Sequence, residues 1–529
     1  MSKIYLSVCL LFLATSSLKA QDENLSNSFT YKVVATQLSF PWEVLYGPDD
    51  SLWVTESRDY KITKIHPGNG GKRTILNLGA RKNFAHYVDG SNNHYARIAG
   101  VDHPWPQGGL EGMVLHPQFL TGKPYLYVIY VRSWDSAKAN KAGEFYTSRI
   151  ERYTYNLTTK TLGSPTTIID TIPGSSDHNS GRLTIGPDMK LYASVGDMGA
   201  GQFGNKNRKN YAQNLDAYQG KVLRFNLEED ADVATGGDPL KRWIPNDNPY
   251  INSTNGNRSA VYSFGHRNVQ GLVWAHFNSG DSLIVNEHGP QTDDELNLVS
   301  KARNYGHPLV NGFCDGNMNG ISNGPFTPGA TGSATSEQNA CTNFNLKEPI
   351  STYGTTDLTP ATDPEGSNAT WPTVGPSSVD FYQASKYTSN IPNWGNSVLI
   401  TTLRAGRVIR VKMKADGSGI QTPVEQVEYF RGANNRFRDL AISPSGTKIY
   451  VAVDSAVQTS GPTTGVGSGT LPNFPGSILE FTYFQTLLSL DSVPVAVYAD
   501  RKDFVIYPNP VVDKLTVVGK RNVVANQIG

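Results

Sequence analysis

The chain has 529 residues, enough to bury a large core, and carries 47 Lys and Arg against 46 Asp and Glu for a formal net charge of +1. Charged residues are 18% of the total and form no basic stripe or acidic tail, which argues against a nucleic-acid partner. With 51 Gly, 31 Pro, 26 Tyr and no long helical periodicity, the composition points to an all-β fold.

Residues 1–20, MSKIYLSVCLLFLATSSLKA, have a lysine near the start, an apolar centre and Leu-Lys-Ala before Gln21. This is the pattern of a secretory signal peptide cleaved after Ala20. Its loss removes Lys3 and Lys19 and leaves 45 basic against 46 acidic residues. The apolar run is too short to span a bilayer, and no later stretch reaches the roughly 20 residues a span needs. A secreted, cell-surface or periplasmic protein is therefore expected. Cys9 leaves with the leader, and Cys314 and Cys341 remain, either as a disulfide suited to an oxidising compartment or as two buried thiols.

One phrase then recurs, a turn of the Gly-Pro-Asp kind followed by a strand rich in Tyr, Val and Ile. Its copies are GPDDSLWVTE (47–56), HPQFLTGKPYLYVIYV (116–131) and GPDMKLYASVGD (186–197), with weaker ones at 277–290, 393–402 and 443–454. Each is followed by a second strand, such as KITKIHP or GRVIRVKM, so the pattern predicts repeated antiparallel sheets. Radial repetition in a β-propeller closes many short strands without long exposed edges. An array of immunoglobulin-like sandwiches is the alternative and fits the irregular spacing less well. Long loops at 85–109, 199–218 and 311–372 carry much of the Gly, Asn, Ser and Thr and are expected to rise over one face of the propeller. After the linker 484–503, the stretch FVIYPNPVVDKLTVVGK begins what reads as a separate small β-module over 504–529.

Polar clusters sit at the ends of the apolar strands: Asp177-His178, GDMGAGQ (196–202), GHRNVQG (265–271), NEHGPQTDDE (286–295) and NNRFRD (434–439). Taken singly, each is ordinary: a loop histidine is usually structural, and an Arg-X-Arg strand usually makes surface ion pairs. Together they describe a site. Arg436 and Arg438 project from one face of a strand and suit two carboxylates. Arg267-Asn268 places a fixed cation beside an amide, and the Gly289-Pro290 turn offers the carbonyl oxygens that calcium accepts. Asp177 could hold the His178 imidazole in one tautomer and leave its other nitrogen as a general base.

The stretches SSDHNSGRLTIGPDMKLYASVGD, FGHRNVQGL, NEHGPQTDDELNLV, NYGHP, WPTVGPSS and NNRFRDLAISPSG resemble the soluble quinoprotein glucose dehydrogenases, in order, from about residue 30 to 483. The resemblance implies a six-bladed propeller of four-stranded antiparallel sheets that uses pyrroloquinoline quinone (PQQ) and calcium to oxidise an aldose to its lactone, with an external electron acceptor. It implies that His178 is the base, that Asp177 orients it, and that Arg267 polarises the quinone. Asn268, Thr373, Arg404, Arg436, Arg438 and Gln107 would hold the cofactor. Gln107, Asp177, Gln202, Phe203 and Trp371 would contact the sugar. Gly289 and Pro290 would hold the calcium at the cofactor, while Glu295, Tyr305 and Asp315 match a second calcium site near which the family forms homodimers. Arg404 stands where the family has a lysine, and the loop before Trp371 lacks the family's cysteine pair and tyrosine, so the sugar preference is expected to differ. The insert before Gln107 would add a lid. The tail YPNPVVDKLTVV resembles the start of the C-terminal sorting domain of the type IX secretion pathway. Two alternatives from other classes are a sugar-binding propeller without cofactor and a calcium-dependent propeller lactonase.

Overall fold

The computed structural model describes residues 21–22, 28–81, 95–98, 101–104, 106–133, 146–200, 205, 208–230, 239–290, 292–316, 337–354, 373–432, 434–456, 471–484, 504–507 and 516–519. The leader, most of the insert before Gln107, and the expected sugar contacts Gln202, Phe203 and Trp371 lie outside them.

Six blades of four antiparallel strands follow one another along the chain, and the two-residue strand Gln21–Asp22 adds in parallel to the outer edge of the fifth. Blade one is Pro41–Tyr46, Leu52–Glu56, Lys61–Ile65 and Lys72–Asn77; blade two is Leu110–Leu115, Tyr125–Ser133, Tyr146–Asn156 and Thr161–Pro173. Blade three is Ser180–Ile185, Lys190–Val195, Lys221–Asn226 and Val261–Phe264; blade four is Val269–Phe277, Gly280–Glu287, Asp294–Val299 and Ser351–Tyr353. Blade five is Pro376–Tyr382, Ser397–Thr402, Val408–Lys412 and Gln426–Tyr429. Blade six takes Phe437–Ile442, Lys448–Val453 and Ser477–Tyr483 from the end of the propeller, and its outermost strand, Phe29–Ala35, from the beginning. The first strand of each blade packs beside the first strand of the next, and blade six returns to blade one, so the six form a closed ring around a central channel.

The six turn-and-strand copies in the sequence are the hairpins joining first to second strand, one in every blade. The second strands are largely buried, Leu52–Glu56 and Ser397–Thr402 along their whole length, because neighbouring blades cover both faces. Aromatic rings fill the seams. Phe430 stacks on Phe481 at 3.7 Å between blades five and six, and Trp53, Tyr155 and Phe119 pack together between blades one and two. Cys314 and Cys341 are joined as a disulfide. The insert before Gln107 contains a short hairpin, Tyr95–Ile98 with Val101–Pro104, and the tail contains another, Phe504–Tyr507 with Thr516–Gly519.

The channel is held by charge as well as by packing. Arg182, on the first strand of blade three, lies 2.6 Å from Glu43 of blade one and 3.3 Å from Asp439 of blade six. It also donates to the carbonyls of Gln270 in blade four (2.9 Å) and Ser377 in blade five (3.1 Å), and stacks over Trp42. One fully buried guanidinium thus joins five blades. Because it serves two carboxylates, burial prevails at Glu43, whose carboxyl is pushed up to about 8 despite Arg182.

Arg182→Met should destabilise the protein by about 3–5 kcal/mol, since the loss of one partner strands buried carboxylates; a fall in the denaturant midpoint at unchanged m-value checks this. Glu43 should also leave a pH signature. Its carboxyl binds a proton in the folded state but not in the unfolded one between pH 4.5 and about 8, so stability falls as pH rises through that window. Glu43→Gln should match wild type near pH 4 and exceed it above pH 8.

Candidate active site

In this topology each first strand starts, and each second strand ends, at the same mouth of the channel. Gln107, Asp177-His178, Arg267-Asn268, Thr373 and Arg436 all precede or open a first strand, and Gly289-Pro290 and Arg404 follow second strands. The sequence clusters are therefore brought to one face.

His178 and Ser180 have left-handed backbones (φ 51° and 66°), a conformation that side-chain-bearing residues adopt at a cost and that is common at functional loops. The His178 Nδ1 lies 2.7 Å from Oδ1 of Asp197, which follows the second strand of the same blade. Burial alone would raise the Asp197 carboxyl, but His178 and His307 on either side hold it well below the usual range. An ionised carboxylate only accepts, so Nδ1 donates to it, and in the neutral ring the lone pair lies on Nε2. Asp177, expected from the sequence to fix the tautomer, stands on the opposite side of the ring, 3.6 Å from Nε2. The Asp177 Oδ1 accepts from Gln107 Nε2 at 2.9 Å and from the His178 amide, while its buried Oδ2 has no partner among the described residues. Burial raises the Asp177 carboxyl, opposed by His178 and Arg267.

Arg267 is buried beside this pair. Its NH1 donates to the His288 carbonyl at 3.1 Å, and its buried Nε has no partner among the described residues. Asn268 Oδ1 accepts from Ser180 and Gln270, and Gln270 Oε1 accepts from Arg438 at 3.3 Å. Arg436 (3.1 Å) and Arg438 (2.7 Å) both donate to Oδ2 of Asp454, leaving a net positive charge there. Burial opposes ionisation of Asp454, yet the two guanidinium groups hold its carboxyl low.

Asp294 organises the far wall. It accepts from the Thr373 hydroxyl (2.6 Å) and from the amides of Gly289 (3.1 Å), Val374 (2.7 Å) and Gly375 (3.1 Å). The Gly289-Pro290 turn is thus tied to Thr373; burial raises the Asp294 carboxyl against these hydrogen bonds, and burial lowers the half-buried Arg404 guanidinium, opposed by Asp294. The turn is tight: a Cβ on Gly289 would run into the Thr292 carbonyl. Glu295 lies one layer out, accepting from Gly312 N and Asn297, and burial pushes its carboxyl well up. The Tyr305 ring stacks on His266 at 4.6 Å, and Asp315 follows the disulfide.

A profile of the glucose/sorbosone dehydrogenases matches residues 38–340 and 347–460. The chain is 34% identical to quinoprotein glucose dehydrogenase B of Acinetobacter calcoaceticus over 497 residues, 88% of this chain and 92% of that one. The chain belongs to the glucose/sorbosone dehydrogenase family. It is also 26% identical to an aldose sugar dehydrogenase of Escherichia coli over 53% of this chain and 62% of that one. The PQQ-bound aldose sugar dehydrogenase of Streptomyces coelicolor shares the fold, with a TM-score of 0.54 at 23% identity over 86% of this chain and 98% of that one.

Within this dehydrogenase scaffold, four side chains that complete the site were not assigned a role from the sequence: Asp197, Asp294, Asp454 and His307. A signal for two of them is visible in the repeats. LWVTE56, LYASVGD197, LIVNE287 and IYVAVD454 each end a second strand in an acid, and superposing the copies marks the mouth.

Asp197→Asn should test the clamp on His178. Its carboxyl is depressed in the folded state, so its stabilising effect is present above the unfolded value of 3.8 and lost as pH falls through and below it. The stability gap between wild type and Asp197→Asn should shrink as pH falls below about 4.

Proposed function

We propose that this member of the sugar-dehydrogenase family oxidises an aldose at C1 to the lactone with PQQ and calcium, His178 serving as general base and an external acceptor taking the electrons. The observation that carries this reading is the His178–Asp197 pair at 2.7 Å, set beside a buried Arg267 whose Nε has no partner among the described residues. That donor, together with Arg404, Arg436 and Arg438, suits a planar polyanion such as PQQ. The constrained Gly289-Pro290 turn suits a hard cation held by carbonyl oxygens. When bound, PQQ supplies the two-electron acceptor for the C1 hydride, with calcium as its Lewis acid.

The chain's own groups do the rest. Asp197 keeps the proton on Nδ1, so Nε2 of His178 takes the proton of the anomeric hydroxyl as C1 gives up its hydride and the C=O bond of the lactone forms. Asp177 lies 3.6 Å from Nε2 and stabilises the imidazolium, while its free Oδ2 is an acceptor for a sugar hydroxyl. Gln107 holds Asp177 in place. Arg267 Nε donates to the oxygen on which negative charge develops, an effect worth about 3–4 kcal/mol in comparable sites. Asn268, Thr373, Arg404, Arg436 and Arg438 anchor the cofactor.

Apoprotein mixed with PQQ and calcium should reduce a redox dye in the presence of some member of an aldose panel. His178→Ala should still bind PQQ, measured by absorbance, and lose about 10²–10⁴-fold in turnover. Absence of both cofactor binding and dye reduction would overturn the reading, and wild-type turnover in His178→Ala would remove the base assignment.

A further inference from the structure

Between the third and fourth strands of blade four the chain does not take the short route. It climbs beside the last strand of blade three, where Tyr305 N donates to the Phe264 carbonyl at 2.9 Å and His307 N to the Gly265 carbonyl at 2.9 Å. Side chains then clamp it. Asn304 and Gln213 exchange amide hydrogen bonds (2.8 and 3.0 Å), and Gln213 Nε2 also donates to the His307 carbonyl at 2.7 Å. The excursion delivers one imidazole to the mouth: His307 Nε2 lies 2.9 Å from Oδ2 of Asp197, whose Oδ1 holds His178.

We propose that His307 is a positioning residue for the base, donating from Nε2 to the second oxygen of Asp197 so that His178, Asp197 and His307 act as one array. Two lone pairs facing each other at 2.9 Å would repel, so the nitrogen against the carboxylate carries the hydrogen. The Asn210 amide converges on the same oxygen at 3.5 Å and lies 3.1 Å from Nε2; its own Oδ1 is fixed by the Ala212 amide, which orients the NH₂ group toward the carboxylate. A carboxylate held through Oδ1 alone can rotate about its Cβ–Cγ bond and take the Nδ1–H of His178 out of line. Donors on Oδ2 fix the carboxylate plane, and with it the direction in which Nε2 of His178 points. Aim of this kind matters because small misplacements of a reacting group cost up to about a hundredfold in rate.

The inference rests on His178 being the base, and the test separates the two. In apoprotein labelled with ¹⁵N-histidine, the Nδ1–H of His178 should give a low-field proton resonance, assigned by its loss in His178→Ala. That resonance should persist in His307→Gln, which keeps a side-chain N–H, and should shift or broaden in His307→Phe, which has none. In reconstituted enzyme, His307→Phe should lose about ten- to a hundredfold in kcat, with sugar KM and PQQ affinity within about twofold of wild type. His307→Gln should recover most of that loss. Equal losses in the two variants, or a Phe variant with wild-type kcat and an unmoved resonance, would overturn the inference. Should His307→Phe fail to fold by circular dichroism, His307→Leu makes the same comparison. Full turnover in His178→Ala would remove the base assignment while leaving the resonance result as a test of the array.

Discussion

The mouth of this propeller depends on buried carboxylates that end second strands and grip the loop entering the first strand of the same blade. In blade one Glu56 accepts from Ser39 N at 2.8 Å, and in blade three Asp197 holds His178 at 2.7 Å. In blade four Glu287 accepts from the Arg267 amide at 2.7 Å and pairs with His266 at 2.9 Å; in blade six Asp454 takes Arg436 and Arg438. Burying a carboxylate is costly unless its oxygens are paired. Here the donors are the loop groups themselves, so a loop that drifted away would strand a buried charge. The loops carrying His178, Arg267 and Arg436 are thereby made nearly as rigid as the sheets beneath them, which is what a pre-organised site requires.

The same logic sorts charge by depth. At the mouth, Asp454 meets two guanidinium groups, Arg436 and Arg438. Further down the channel the ratio inverts: Arg182 faces Glu43 and Asp439, with Glu111 buried nearby and its carboxyl raised well above the ordinary range. The pair of arginines at Asp454 suits negative charge from outside. The lower layer is self-contained and locks the blades together.

Much of this was legible in the sequence. Each of the six turn-and-strand copies became one blade hairpin, and the polar clusters at strand ends met at one mouth because first strands begin and second strands end there. What the sequence did not reveal were pairings set by closure of the ring. Asp177 is adjacent to His178 in sequence, yet Nδ1 is held by Asp197, because a residue cannot easily fold its short side chain onto its neighbour's Nδ1 while a strand across the hairpin presents a carboxylate directly. Arg182 sat unremarked in an apolar-looking strand, since its partners come from blades at the two ends of the chain. His307 was hidden by an excursion between strands that no periodicity marks.

Ring closure also has a temporal side. Blade six pairs Phe29–Ala35, among the first propeller residues to be synthesised, with Ser477–Tyr483, the last. Until those final residues emerge, the opening strand has no edge to join, and the contact between Val44 and Asp439 across the seam of blades one and six cannot form (2.7 Å once made). Contacts this distant in sequence make folding slow, because the entropy of closing so long a loop is lost before the seam rewards it. The finished ring holds the first and last strands of the propeller side by side in one sheet, so neither end can peel away without breaking the pairing that holds the other.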